Sequence, residues 1–300
     1  MKAGLKSVLW SLTALLLLLS LLIPGLNMVT VMFMIVPFTV LYATLSTKAF
    51  VLHVVPVLII AALILGSPAL MVGIFFLVPA IVMGNLYRRR TAASKVIVTA
   101  VLTMLAMMLI ALLGFQLIMD VSLIDQMRDS ITTTIDDLHK QNLMPEQWDS
   151  DLTDALVRTM VNSIPLTVIM AAFLYAVVTH YAARRALIRS GMDVPAAPPA
   201  REWMLPRIMV IYYLIAYVID LFVPSTSTGF LSVALLNLVP LLRYAFAIQA
   251  VGFLFFLAHQ RGWRRPVPVI LSIIVLIFPP FSLLGVLDAA FPIRKSMTKR

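Results

Sequence analysis

The chain has no cysteine, so it holds no disulfide scaffold, iron–sulfur cluster, thiolate zinc site or cysteine nucleophile. Charge is also scarce: 12% of residues are Asp, Glu, Lys or Arg, against roughly 25% in soluble domains. No glycine-rich loop ends in Lys-Ser or Lys-Thr, which excludes ATP hydrolysis of the usual kind. His-Glu-x-x-His and Gly-x-Ser-x-Gly are both missing, so neither a zinc protease nor an α/β-hydrolase is expected. The four histidines (His53, His139, His180 and His259) fall on separate segments without metal-ligand spacing. Basic residues do not alternate with aromatics on a soluble face, so no nucleic-acid partner is expected. The expectation is a protein with no catalytic residue, metal or cofactor of its own, and not an enzyme.

What is abundant is apolar surface. Hydrophobic residues make up 62% of the 300, and the mean hydropathy is +1.02. No soluble fold of this size has enough interior to hide that much, so lipid must act as solvent. In lipid every backbone group needs an internal partner, and helices satisfy that requirement. The predicted class is an all-α polytopic membrane bundle. A span needs about 20 apolar residues. Segments are expected near 7–23 and 28–45, separated by Pro24-Gly25 and Asn27. The stretch 49–87, broken at Gly66-Ser67-Pro68, gives a hairpin of two more. The rest are 96–119, 161–183, 205–222, 230–258 and 267–287, making nine hydrophobic segments in all. The first has Lys2 and Lys6 before it but no small-residue cleavage site after it, which reads as a retained signal-anchor.

Charge placement orients the threading. Lys2, Lys6, Lys48, Arg88, Arg89, Arg90 and Lys95 fall at alternate gaps, as do Arg184, Arg185, Arg189, Arg201, Arg207, Arg261, Arg264 and Arg265. The intervening gaps hold only Arg128, Lys140 and Arg158. The positive-inside rule places the N-terminus in the cytoplasm, with the chain a multi-pass protein of the cell membrane. The tail, with Arg294, Lys295, Lys299 and Arg300, would then lie outside if all nine segments crossed. Pro279-Pro280 splits the ninth segment into halves too short to span, so eight and nine crossings both stay open.

Residues 120–160 are the one long polar stretch, with Asp120, Asp125, Asp129, Asp136, Asp137, Glu146, Asp149, Asp151 and Asp154. Ile124, Met127, Ile131, Ile135 and Leu138 recur at helical spacing. Pro145 suits the first turn of a second helix with Trp148, Leu152 and Leu156. This stretch reads either as a lid over the outer mouth or as a hairpin on the bundle surface. Asp149-x-Asp151 with Asp154 lacks the glycine and glutamate of a calcium loop. Three regions follow: a six-helix core over 1–190 that includes the acidic stretch, a Pro/Ala linker over 191–202, and a three-segment region with a basic tail over 203–300.

Ionisable groups at membrane depth face a cavity or a partner. Arg243 lies deep in the run that starts at Phe230, and Asp220 closes the preceding helix. In one reading Arg243, Asn237 and Gln249 line a solute cavity with Asp220 as counter-charge or gate. In the other, Arg243 snorkels or pairs with Asp220 to satisfy its own charge. The six-residue spacing of Asn237, Arg243 and Gln249 gives no single stripe. Ala3, Ser7 and Ser11 fall four apart on the first helix and form either a seam for another membrane protein or internal packing.

Several local patterns carry a resemblance. The first helix is followed by Pro-Gly-Leu-Asn, and residues 77–89 read Leu-Val-Pro-Ala-Ile-Val-Met-Gly-Asn-Leu-Tyr-Arg-Arg. Later come Glu-Trp-Met-Leu-Pro-Arg at 202–207, Asn237-Leu-Val-Pro, Phe246-Ala-Ile-Gln-Ala-Val-Gly and Gly285-Val-Leu-Asp-Ala-Ala-Phe-Pro-Ile-Arg-Lys. In this order the chain resembles the YybS-like family of bacterial membrane proteins, over nearly its whole length. It departs from the family where Gln249-Ala250 stands in place of Gln-Gly. The first six helices of that family are similar to the substrate-binding (S) components of energy-coupling-factor transporters. That likeness implies a small-molecule solute, a membrane coupling subunit docked on Ala3, Ser7 and Ser11, and separate ATPase chains. The competing expectation is a non-transporting scaffold or regulator for a signalling or cell-envelope partner.

Overall fold

The computed structural model describes residues 4–119, 122–143, 145, 148–224, 229–264, 266–291 and 293–298. All regular structure among them is helical. Asp120, Glu146, Arg265, Lys299 and Arg300 lie outside the described residues. The chain divides into two compact units, one of residues 1–126 with 168–197 and one of residues 127–167 with 198–300.

The first unit begins with α1 (Leu5–Leu19), which ends in a 3-10 turn. Gly25, at φ +82°, makes the turn into α2 (Leu26–Thr30). There the Ser20 hydroxyl donates to Thr30 Oγ1 at 2.6 Å and closes the hairpin. After α3 (Ile35–Thr44) come α4 (Thr47–Leu65) and α5 (Pro68–Arg88), joined at Gly66, whose φ of +83° needs no Cβ. Then follow α6 (Ala93–Met119) and, beyond the acidic stretch, α9 (Ile164–Arg189). Residues 35–41 of α3 and Met34 before them are buried on every side, so this helix is the axis of the unit. It approaches α5 closely: a Cβ at Gly84 would stand 3.2 Å from the Thr39 carbonyl oxygen. Arg88, at the end of α5, donates to the carbonyls of Tyr42 and Leu45. Its guanidinium also lies over the Tyr42 ring at 4.3 Å. The last turn of α3 leaves carbonyls without intrahelical partners, and Arg88 supplies them. The acyl solvent takes the outward faces, such as Leu5, Val8, Leu9, Leu12 and Leu16 of α1.

The second unit holds α7 (Leu123–Lys140) from residue 127 onward, α8 (Ser150–Asn162), the first residues of α9, α10 (Ile208–Phe222), α11 (Phe230–Gln260), α12 (Pro266–Ile277), α13 (Ser282–Ala290) and α14 (Ile293–Thr298). α8 starts later than Pro145 predicts, because the Asp149 carboxylate accepts from Leu152 N at 2.8 Å and sets the N-cap. That contact also gives Asp149 a structural task, apart from any calcium. Residues 127–160 of the acidic stretch group with the C-terminal helices, and its first residues, up to 126, with the first unit. Asn237 of α11 holds the end of this stretch: it accepts from Leu166 N at 2.8 Å and donates to Asn162 O at 2.8 Å. One amide thus caps the end of α8 and the start of α9.

All nine hydrophobic segments are helical, but they are unequal. Seven are long and apolar enough to cross a membrane among the described residues. α10, at 15 residues, is shorter. The ninth breaks at Pro279-Pro280 into α12 and α13, bent by 114°. α13 then runs beside α11 toward its C-terminal end. A Cβ on Gly285 would overlap the Phe246 carbonyl oxygen and stand 2.8 Å from Ala250 N. Asp288 meets Gln249, and the Arg294 guanidinium lies 5.3 Å from the Phe256 ring. The bend thus lays α13 along α11 and brings Arg294 to the carbonyl of Arg201.

Candidate functional site

Two buried polar clusters stand out, one in each unit. In the second, Asp288 closes α13 with its side chain wholly buried. Arg294 donates to it three times: Nε to Oδ1 at 3.0 Å, Nε to Oδ2 at 3.1 Å and Nη2 to Oδ2 at 2.5 Å. Gln249 adds its Nε2 to Asp288 Oδ2 at 2.5 Å, and its Oε1 accepts from Leu205 N at 2.8 Å. Arg294 Nη1 donates to the Arg201 carbonyl at 2.6 Å. A carboxylate in so dry a place must be paired and hydrogen-bonded, and here it is both. The cluster ties the returning segment, α11 and the entry to α10 into one piece.

In the first unit, the Tyr87 hydroxyl and His180 Nδ1 share a hydrogen bond of 2.9 Å. Both residues are buried, 1% and 4% exposed. His180 Nε2 has no hydrogen-bond partner among the described residues. If the tyrosine donates, Nε2 carries an unmatched proton; if it accepts, Nε2 is a bare lone pair. Tyr87 also forms a wall of a cavity of about 410 Å³, together with Thr44, Arg88, Arg90, Ser190 and Asp193. Arg90 and Asp193 face each other there at 3.9 Å, both well exposed. The linker closes one side, held by Arg184 Nε donating to Val194 O at 3.1 Å. No group of three or more His, Cys, Asp or Glu residues placed to hold a metal exists among the described residues.

The residues singled out by sequence do not converge. Asn237 and Gln249 sit twelve residues apart on α11, about 18 Å along the axis. Their amides are engaged in separate structural contacts. Asp220 is exposed at the end of α10, and no ion pair joins it to Arg243 among the described residues. Tyr213 packs on Phe246 at 5.3 Å between centroids, which fixes the antiparallel register of α10 and α11. In that register Asp220 falls level with residues near 239, about a turn from Arg243. Arg243 is half-buried, with the Tyr244 ring 6.0 Å from its guanidinium. On α1, Ser7 is fully buried, its hydroxyl donating to Gly4 O at 2.9 Å, so it gives an external partner no surface. Ser11 Oγ donates to Ser7 O at 3.1 Å, and Ala3 lies outside the described residues.

Sequence reasoning passed over Asp288 and Arg294, although a lone acid closing an apolar run six residues before an arginine was a visible signal. Tyr87 and His180 lie 93 positions apart and left no local trace.

Comparison with known proteins places the chain. The model of a family described as "Predicted membrane protein (DUF2232)" matches residues 11–289. The chain belongs to this family. A similar protein is "Uncharacterized protein YybS" of Bacillus subtilis (strain 168), 25% identical over 226 residues, covering 72% of each chain. No solved structure matches. The family description and the structure agree that this is an integral membrane protein with several apolar helices in a lipid bilayer. As a member of DUF2232 it brings both clusters within the matched span, except for Arg294, which follows five residues after it.

Proposed function

We propose that the chain is the solute-binding component of a membrane transport system whose ATPases are separate chains. The observation that carries the reading is His180, a buried imidazole with one nitrogen unmatched and the other bonded to a wall residue of a polar cavity. An unmatched buried donor or acceptor costs about 1–3 kcal/mol, which a water recovers, while a polar solute in the cavity would meet the pair through Tyr87. The cavity volume of about 410 Å³ suits a small molecule. The resemblance of the first six helices to S components supports the same reading from sequence. The coupling subunit implied by that resemblance would meet the exposed leucine face of α1 and not Ser7.

The test is purification from native membranes in mild detergent, with mass spectrometry of the proteins and small molecules that accompany the chain. A coupling subunit with ATPases, and a small molecule lost on His180→Ala, is the expected result. Unchanged growth of a deletion strain on every limiting solute, with no co-purifying small molecule, would end the proposal.

A second reading, a scaffold or regulator without transport, is favoured by one feature. Asp125, Asp129, Asp136 and Asp137 of α7 are all exposed on a strongly amphipathic helix. Crosslinking through this helix to a signalling or cell-envelope enzyme, with no ATPase recovered, would select it.

A further inference from the structure

The first unit holds a second and larger recess, which uses neither Tyr87 nor His180. This groove of about 630 Å³ runs between α1, α3 with the turn before it, and the last turns of α9. Its mouth is set by Lys6 on one wall and by Arg185 and Arg189 on the other. Deeper in, it is lined by Leu17, Phe33 and Val36.

The three cations are exposed, and none makes an ion pair with a carboxylate among the described residues. Arg185 and Arg189 are one turn apart on the same face of α9, where like charges repel. An anion at the mouth relieves that repulsion. Leu17 lies eleven residues along α1 from Lys6, about 16 Å, or half of a hydrocarbon core of about 30 Å. The groove is thus as deep as one leaflet, charged at the headgroup end and apolar below. A free anion satisfies the mouth and leaves the apolar depth unfilled, whereas a lipid satisfies both.

We infer that this groove binds an anionic phospholipid of the adjoining leaflet. The headgroup phosphate sits among Lys6, Arg185 and Arg189, and one acyl chain lies along Leu17, Phe33 and Val36. Basic recesses between membrane helices recognise anionic headgroups by this combination of charge and apolar wall.

The experiment is native mass spectrometry of the full chain in neutral detergent. Phosphatidylglycerol and phosphatidylcholine of identical acyl chains are supplied at equal concentration. The wild-type chain retains phosphatidylglycerol in at least about tenfold preference. Lys6→Gln, Arg185→Gln and Arg189→Gln together remove that preference and leave phosphatidylcholine occupancy unchanged. Removing the same charge elsewhere, with Arg207→Gln, Arg261→Gln and Arg264→Gln, preserves it. Independently of these variants, a photoreactive benzoylphenylalanine at Phe33 crosslinks to the acyl chain of phosphatidylglycerol. Equal retention of the two lipids, persistence of the preference in the first triple variant, or its loss in the second overturns the inference. So does displacement of the lipid by millimolar inorganic phosphate, or the absence of a crosslink at Phe33. None of these results bears on the His180 cavity, whose solute is tested separately.

Discussion

Asp288→Ala is the most informative single change, because the wholly buried carboxylate accepts from both Gln249 and Arg294, which in turn hold the entry to α10. Two terms set the cost. Removing one member of a buried ion pair costs about 3–5 kcal/mol, because the partner charge stays behind in a dry place. The Gln249 amide also loses its acceptor, at about 1–3 kcal/mol if it stays buried and unmatched. Against this, the Arg294 side chain is 11% exposed and still donates to Arg201 O. The lower end of the range, about 3 kcal/mol, is therefore expected. Asp288→Asn keeps an acceptor for Gln249 while losing the charge, and should fall between alanine and wild type.

A double-mutant cycle separates the pair from its surroundings. Arg294→Met alone leaves a buried carboxylate, so it should cost as much as Asp288→Ala. Together the two changes remove both charges, and the sum should fall short by about 2 kcal/mol, as contacting residues in one network behave. The measurement is equilibrium unfolding in mixed neutral and anionic micelles, followed by tryptophan fluorescence. Additivity within about 0.5 kcal/mol, or a cost below about 1 kcal/mol for Asp288→Ala, would refute the claim that this cluster holds the returning segment in place.

Further outcomes follow from other contacts. Gly285→Val should destabilise the second unit by more than the roughly 1–3 kcal/mol of ordinary overpacking, because its Cβ overlaps the backbone of α11; a neutral effect in the same unfolding assay would contradict the close approach. Asn237→Ala should cost about 1–2 kcal/mol and raise amide exchange at residues 163–167, where it caps two helix ends; unchanged exchange there would leave the residue without its structural role. Arg243→Met and Asp220→Asn should be additive within about 0.5 kcal/mol, and a larger coupling would restore the pairing that the helix register denies them. The absence of cysteine makes Arg261→Cys and Ser296→Cys unique thiols, and a membrane-impermeant reagent should reach both from the same side. Labelling from opposite sides would mean that the last segment crosses.

The helices were legible because lipid imposes the same demand on every span: a long apolar run closed by glycine or proline punctuation. Gly66-Ser67-Pro68 and Pro24-Gly25 marked real turns for that reason. The break at Pro279-Pro280 was legible as well, though not the direction of the chain after it. That direction depends on Gly285 admitting the α11 backbone and on the partners of Asp288, which are tertiary facts. The start of α8 was misplaced because Pro145 and Asp149 both suit a helix start, and the carboxylate cap won. The candidate cavity residues posed a different problem. Amides at membrane depth read equally well as solute ligands or as caps for broken backbone. Asn237 and Gln249 both serve backbone and neighbouring side chains, which accounts for their polarity by the irregular chain they hold.

The returning segment also accounts for a charge that the threading could not place. With the last segment crossing, Arg294 would lie opposite Arg201 and Arg207, against the bias of every other basic cluster. A turn of 114° at two consecutive prolines is what a segment that does not cross requires, because neither α12 nor α13 is long enough to span alone. The turn leaves a polar chain end to be fixed near the apolar body of α11. The Arg294–Asp288–Gln249 cluster fixes it, with Arg294 reaching the carbonyl of Arg201. The same few residues thus satisfy two constraints, the hydrogen-bonding of a broken span and the sidedness of its charge. That is why disrupting Asp288 should perturb both the stability of the unit and the side on which Ser296→Cys is labelled.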